Sequence, residues 1–224
     1  MNYFNMGFRA VLPIISGIIP FGAVMGSAFA EAGIPFWQAI LMNTVVYAGA
    51  AQLATVNLMS LNAAVLVVVT TGLIINLRFL LYSAAMSPYL KNSRPLIKFL
   101  SAFTLTDQSY AAMTAEQDKF RTDSDAVNFY LGTATCMILT WHASVIAGYI
   151  FGNFAPASWS LDYAVPLSFV ALLVPTLKNR KYVAVAIFSS VTSLLFHEMP
   201  LKTGLILTAL LSIGLAALLI RKKA

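Results

Sequence analysis

Charge is what this chain has least of. Asp, Glu, Lys and Arg together supply 10% of its 224 residues, where a soluble globular domain carries about 25%. A water-solvated globule is thereby excluded. Cysteine is nearly missing as well, and the single thiol of Cys136 rules out an internal disulfide or a thiolate metal cage. Enzyme signatures are also lacking. The chain has no G-x-S-x-G nucleophile elbow and no G-x-x-x-x-G-K-[ST] phosphate loop, so ATP hydrolysis by this chain is not expected. His197-Glu198 opens like a zinc-protease motif, but Leu201 stands where the second histidine belongs. No catalytic residue, metal site or cofactor is expected. The N-terminal MNYFNMGFRAVLP lacks a small-residue cleavage site, and no stretch between segments is long enough for a soluble domain.

What is present is apolar. Hydrophobic residues make up 59% of the chain and the mean hydropathy is +0.81. The runs are too long and unbroken for outer-membrane strands, which alternate over about 10 residues. The fold class is therefore all-α, a polytopic helical membrane bundle forming one domain over 1–224. It has about seven or eight segments near the length that spans a bilayer: 11–31, 36–59, 63–87, 97–115, 126–152, 161–177, 181–196 and 201–220.

The net charge of +6 comes from clusters between these segments: Lys91, Arg94 and Lys98; Lys178, Arg180 and Lys181; Arg221, Lys222 and Lys223. That distribution marks lipid rather than nucleic acid as the partner, and the positive-inside rule puts all three clusters, with the C-terminus, in the cytoplasm. Counting crossings then exposes a conflict. Three segments separate Arg9 from the 88–98 linker, and three separate that linker from 178–181, where an even number is required. Broken or re-entrant helices at 11–31 and 97–115 would resolve it, and these segments are rich in helix breakers or polar residues.

The stretch from Pro13 to Gln52 carries Pro13, Pro20 and Pro35, five glycines, and the amides Asn43 and Gln52. Proline interrupts the helical ladder. In a bilayer such a break survives only under protein or beside water, and transporters build solute sites from it. Pro20, Phe21 and Gly22, facing Tyr47, Gly49 and Gln52, are expected to form half of a site. Close packing of Gly22 and Gly26 on another helix is the competing reading. Segment 126–152 places a small residue at every fourth position, from Gly132, Cys136 and Thr140 through Ser144 and Gly148 to Gly152, which reads as a packing seam.

Ionisable groups inside such segments need a partner or a task. Arg78 follows Asn76 and precedes Tyr82 by one turn. Its planar fork suits a carboxylate, belonging either to a solute or to Asp107. Asp107 lies among Thr104, Gln108 and Tyr110, and is expected to pair with Arg78, to hold an ammonium or to carry a coupling proton. His142 is a second proton-coupling candidate, although an ordinary hydrogen-bonded interior histidine explains it too. Asp162 reads as a helix cap.

Taken together, PFGAVMG (20–26), YAGAAQ (47–52), NLRFLLYSAA (76–85), TDQSYA (106–111) and LDYAVPLSFVALLVP (161–175) resemble the AzlC-type branched-chain amino acid permeases over most of the chain. The resemblance implies a multi-pass exporter of branched-chain or related amino acids in the bacterial plasma (inner) membrane. It also implies ion or proton coupling and a small AzlD-type membrane subunit as partner. On that reading Arg78, or amides near Pro20–Gly22, takes the carboxylate of the amino acid substrate. Asp107, Gln108 or Gln52 takes the ammonium, and Phe21 and Tyr47 line an apolar pocket. A non-transporting scaffold subunit is the alternative.

Overall fold

The computed structural model describes residues 2–151, 177, 179–199 and 203–220. They belong to two compact units, residues 1–169 and 170–224, and each is taken by itself. Asp162 with nearly all of segment 161–177, Gly152, Lys178 and the tail from 221 lie outside the described residues. Every regular element described is helical, as an apolar, charge-poor chain requires when backbone groups must be satisfied within one segment.

In chain order the first unit contains α1 (Tyr3–Ala10), α2 (Leu12–Glu31), α3 (Phe36–Val46), α4 (Gly49–Ser60), α5 (Val65–Asn76), α6 (Arg78–Leu90), α7 (Pro95–Phe103), α8 (Asp107–Glu116) and α9 (Asp123–Phe151). The second contains α10 (Arg180–Leu195) and α11 (Thr203–Ile220). Those two form an antiparallel pair. The Lys181 ammonium donates to the Leu219 carbonyl at 2.5 Å, and Gly204 sits against Phe196 too closely to admit a Cβ.

The first unit is built on a parallel pair, α1–α2 beside α9. Gly7 presses on the Phe129 backbone and Gly132 on the Phe4 backbone, while Gly26 presses on Val145 and Gly148 on Ala23. Each helix thus contributes a glycine at both crossings, where only a missing side chain lets backbones approach so closely. The expected seam along Gly132, Ser144 and Gly148 is real, and α1–α2 is its partner. The core follows this seam, with Met25, Phe29, Phe129, Tyr130 and Val145 fully or almost fully enclosed.

The ends of the bundle are marked by contacts. At one end Tyr3 donates to the Lys119 carbonyl (3.3 Å), Asn92 donates to Asp123 (2.9 Å), and Phe120 packs on Tyr3, Tyr89 and Phe129. At the other end Tyr149 donates to the Ile34 carbonyl (2.8 Å) and stacks edgewise on Phe36. Three elements connect the two ends: α1–α2, α9, and the 26 residues Val65–Leu90, which at 1.5 Å per residue span about 39 Å. Leu77 only tightens this last helix. Its amide reaches Ile74 and its carbonyl receives Leu80, both three residues away. The leucines of its outer face, Leu66, Leu73 and Leu80, are at least 65% exposed, as suits contact with lipid.

The remaining helices of this unit do not cross. The chain enters α3 at the Ile34 end and reverses at Tyr47–Ala48, so that the Gln52 amide meets the Met42 carbonyl (3.3 Å); α4 then returns to the start of α5. From the other end α7 rises from Pro95, turns over Thr104–Thr106, and α8 descends to Lys119. Each half-helix has 9 to 12 residues, or roughly 14–18 Å, half a bilayer. The two hairpins therefore enter from opposite ends and meet midway, where the rings of Tyr47 and Phe103 stack at 6.4 Å.

This arrangement corrects one expectation and supports another. Segment 11–31 is not broken: α2 runs as one 20-residue helix through Pro20. Pro13 stands in its first turn, where no amide donor is needed. Burial of Phe21, Gly22, Met25 and Gly26 against α9 offsets the hydrogen bond that Pro20 lacks. The early interruption falls instead at Tyr47, inside 36–59. Segment 97–115 is broken and re-entrant as expected. With two crossings between them, Arg9 and the 91–98 linker share one end, as the positive-inside rule asks.

Candidate functional site

Tyr47 adopts φ 37°, ψ 46°, a left-handed conformation that costs a non-glycine residue about 1–3 kcal/mol and tends to mark functional positions. Ala48 (φ −144°, ψ 81°) is non-helical, and α4 starts with no side chain capping it. Around this reversal lies a buried amide pair. Asn43 Oδ1 accepts from Trp141 Nε1 at 2.7 Å and, more weakly, from Gln52 Nε2 at 3.4 Å. With those orientations set, Asn43 Nδ2, Gln52 Oε1 and the Tyr47 hydroxyl are buried without a hydrogen-bond partner among the described residues. Each such group costs roughly 1–3 kcal/mol if left dry and unpaired. The apolar wall is Phe21, edge-on to Trp141 at 5.3 Å, with Gly49 against the same indole.

His142 joins this cluster, stacking on Tyr47 at 6.0 Å. Its Nδ1 lies 3.0 Å from the Ile138 carbonyl and its Nε2 3.3 Å from Thr44 Oγ1. A carbonyl only accepts, so Nδ1 carries a proton. Thr44 gives its single proton to the Ile40 carbonyl (2.8 Å). The imidazole must then either donate from Nε2 as well, as the cation, or receive a Thr44 hydroxyl turned away from Ile40. The two protonation states thus call for different hydrogen bonds beside the Tyr47 reversal.

The second reversal carries the charges. Thr106 caps α8, accepting from the Ser109 amide (3.2 Å), and this sets Asp107 in the first turn. The Arg78 Nη1 to Asp107 Oδ2 distance is 2.6 Å, with both side chains about three-quarters covered. Arg78 Nε, Asp107 Oδ1 and Asn76 Oδ1 are buried without partners among the described residues. One turn further along each helix, Tyr82 and Tyr110 stack at 4.5 Å. The turn itself is pinned by Tyr130 of α9, whose hydroxyl donates to the Ser101 carbonyl (2.7 Å) and lies 3.1 Å from Thr104 Oγ1.

The structure thus gathers Tyr47, Gly49, Gln52, Phe21 and His142 at the first reversal, and Arg78, Asp107 and Tyr110 at the second, with Gln108 buried beside it; Asn76 lies two residues before Arg78 on the crossing helix. Pro20 is not an open helix end, and Gly22 packs on Ser144 and Trp141. Trp141, Tyr130 and Ser101 are site residues that sequence reasoning does not single out. Asn43 was visible as an amide in an apolar stretch, and that was the available signal. Among the described residues no cluster of His, Cys, Asp and Glu could hold a metal ion.

Comparison with known proteins agrees with the membrane architecture. An uncharacterized membrane protein of Archaeoglobus fulgidus is 29% identical over 92% of this chain and 91% of its own length. One of Helicobacter pylori is 25% identical over 100% of this chain and 97% of its own. No solved structure matches. The AzlC protein family matches residues 13–155, a range that holds both hairpins and all of the groups above; the chain belongs to the AzlC family, a membrane family of transporter type.

Proposed function

We propose that this chain is a secondary transporter that exports branched-chain or related amino acids across the bacterial inner membrane, coupled to protons or another ion and working with a small AzlD-type subunit. The carrying observation is the meeting of two half-helix hairpins from opposite ends, with polar groups unpartnered among the described residues and an ion pair joining the second tip to the crossing helix. Broken helices lining a midplane site are a transporter device. Residues 12–60 and 65–116 also repeat one plan in opposite senses, a crossing helix followed by a hairpin from the end it reaches. Rocking of such inverted halves exposes a central site to each side in turn.

Arg78 and Asp107 face each other with Arg78 Nε and Asp107 Oδ1 still without a hydrogen-bond partner among the described residues. An amino acid enters by exchange, its carboxylate taking Arg78 and its ammonium taking Asp107 together with Gln108 or Gln52. Phe21 and Tyr47 offer the apolar surface for its side chain. A proton on Asp107 releases Arg78, and the hydrogen-bond choice at His142 gives a second place where a proton changes the first hairpin.

The test is leucine and valine efflux from proteoliposomes, with and without the small subunit, under an imposed proton gradient. Wild type is expected to export. Asp107→Asn is expected to lose gradient-driven export while retaining some exchange, and Arg78→Gln to lose both. Absence of flux in every combination would favour the alternative, a non-transporting scaffold.

A further inference from the structure

The ion pair does not lie at the end of a solid bundle. Between α6 and α7, on the side of Arg78–Asp107 that faces the 91–94 turn, there is a cavity of about 380 Å³, within the roughly 300–1,000 Å³ typical of small-molecule sites. The two helices run antiparallel around it, so its lining follows the membrane normal. Lys91 and Lys98 line it nearest the 91–94 turn, and Ser87, Ser83 and Leu105 line it further along the two helices. Ser83 is the next residue after Tyr82, and Leu105 lies two before Asp107, so the lining reaches to within about two helical turns of the ion pair, which is not itself part of it.

Its chemistry is one-sided. Lys98 spends one proton on the Lys91 carbonyl (2.9 Å), and an ammonium has three. The Ser101 hydroxyl, in a residue 2% exposed, sits in the wall without a partner among the described residues. Among the described residues no carboxylate lines the cavity, whereas Met86, Pro88 and Leu90 give it apolar surface. We propose that this cavity is a port that binds a small aliphatic carboxylate, the acid end of the solute, before it reaches Arg78. The assignment rests on the transport reading, and it adds a binding site and a polarity of entry to it. The lysines attract the acid group, the serines take its hydrogen bonds, and the apolar wall takes the branched side chain.

The test uses a cysteine as reporter. Cys136 is buried, so the wild-type chain in nanodiscs is expected to resist an anionic methanethiosulfonate, while Ser83→Cys is modified. Leucine and 4-methylpentanoate are expected to slow that modification several-fold, and isoamylamine, the same skeleton with only a positive charge, to leave it unchanged. Lys91→Gln with Lys98→Gln should abolish the protection. Equal rates with all three probes, or protection by the amine, would overturn the port; Ser87→Cys repeats the measurement should the Ser83 variant not fold. Efflux measured on the same protein keeps the two ideas apart. Protection without efflux refutes transport and leaves the binding site, whereas efflux without protection refutes the port alone.

Discussion

Trp141 sets the orientation of the first cluster through a single N–H. Its indole fixes Asn43 Oδ1, and that choice leaves the Asn43 donor and the Gln52 acceptor without partners among the described residues. Trp141→Phe keeps most of the ring packed on Phe21 and Gly49 but removes the donor. The amide is then free to flip. The expected outcome is a loss of about 1–3 kcal/mol, read by thermal unfolding in detergent, with a raised KM for efflux and an assembled protein. An unchanged KM would show that Asn43 and Gln52 do not meet the solute. Part of this cluster was legible from sequence, because amides and glycines in an apolar run need a reason. The role of Trp141 was not, since one tryptophan in a row of small residues looks like packing until the fold brings it 2.7 Å from a residue 98 positions away.

At the scale of elements, the glycine contacts between α1–α2 and α9 govern assembly. A methyl at Gly148 meets the Ala23 backbone, which has no rotamer by which to yield. Gly148→Ala is expected to cost about 1–3 kcal/mol from overpacking and to reduce the yield of folded protein. At Gly214 in α11 an added methyl would meet nothing within 4 Å among the described residues. There the same change should be neutral or stabilising by up to about 1 kcal/mol, through helix propensity alone. The seam was readable because its period is local. The site of the early break was not, because a proline locates a missing donor but not the packing that makes the loss tolerable. Pro20 lies in a helix clamped to α9, whereas Tyr47 reverses the chain with no proline nearer than Pro35.

The whole molecule makes a claim about sides. Residues 3, 92 and 120 gather at one end and residues 34 and 149 at the other. Single cysteines at Asn92 and Asp118 should react with an impermeant reagent from the same side, and cysteines at Gly33 and Asn62 from the opposite side. Reaction of Asn92→Cys and Asp118→Cys from different sides would mean that α7–α8 crosses, and the hairpin description would fail. The charge count pointed to segments that turn back, and the polar run Thr104–Tyr110 rather than the count singled out 97–115. The count could not separate 11–31 from 36–59, since both lie between the same two basic markers.

The half-helices leave one more consequence. Wherever a helix stops inside the membrane, its last carbonyls leave roughly half a negative charge and its first amides roughly half a positive one. α3 and α7 finish at the midplane, and α4 and α8 begin there, so the partial charges gathered at that level sum to nothing while remaining separated in space. A guest with both signs and no net charge suits that field; a bare cation or anion is met by as much repulsion as attraction.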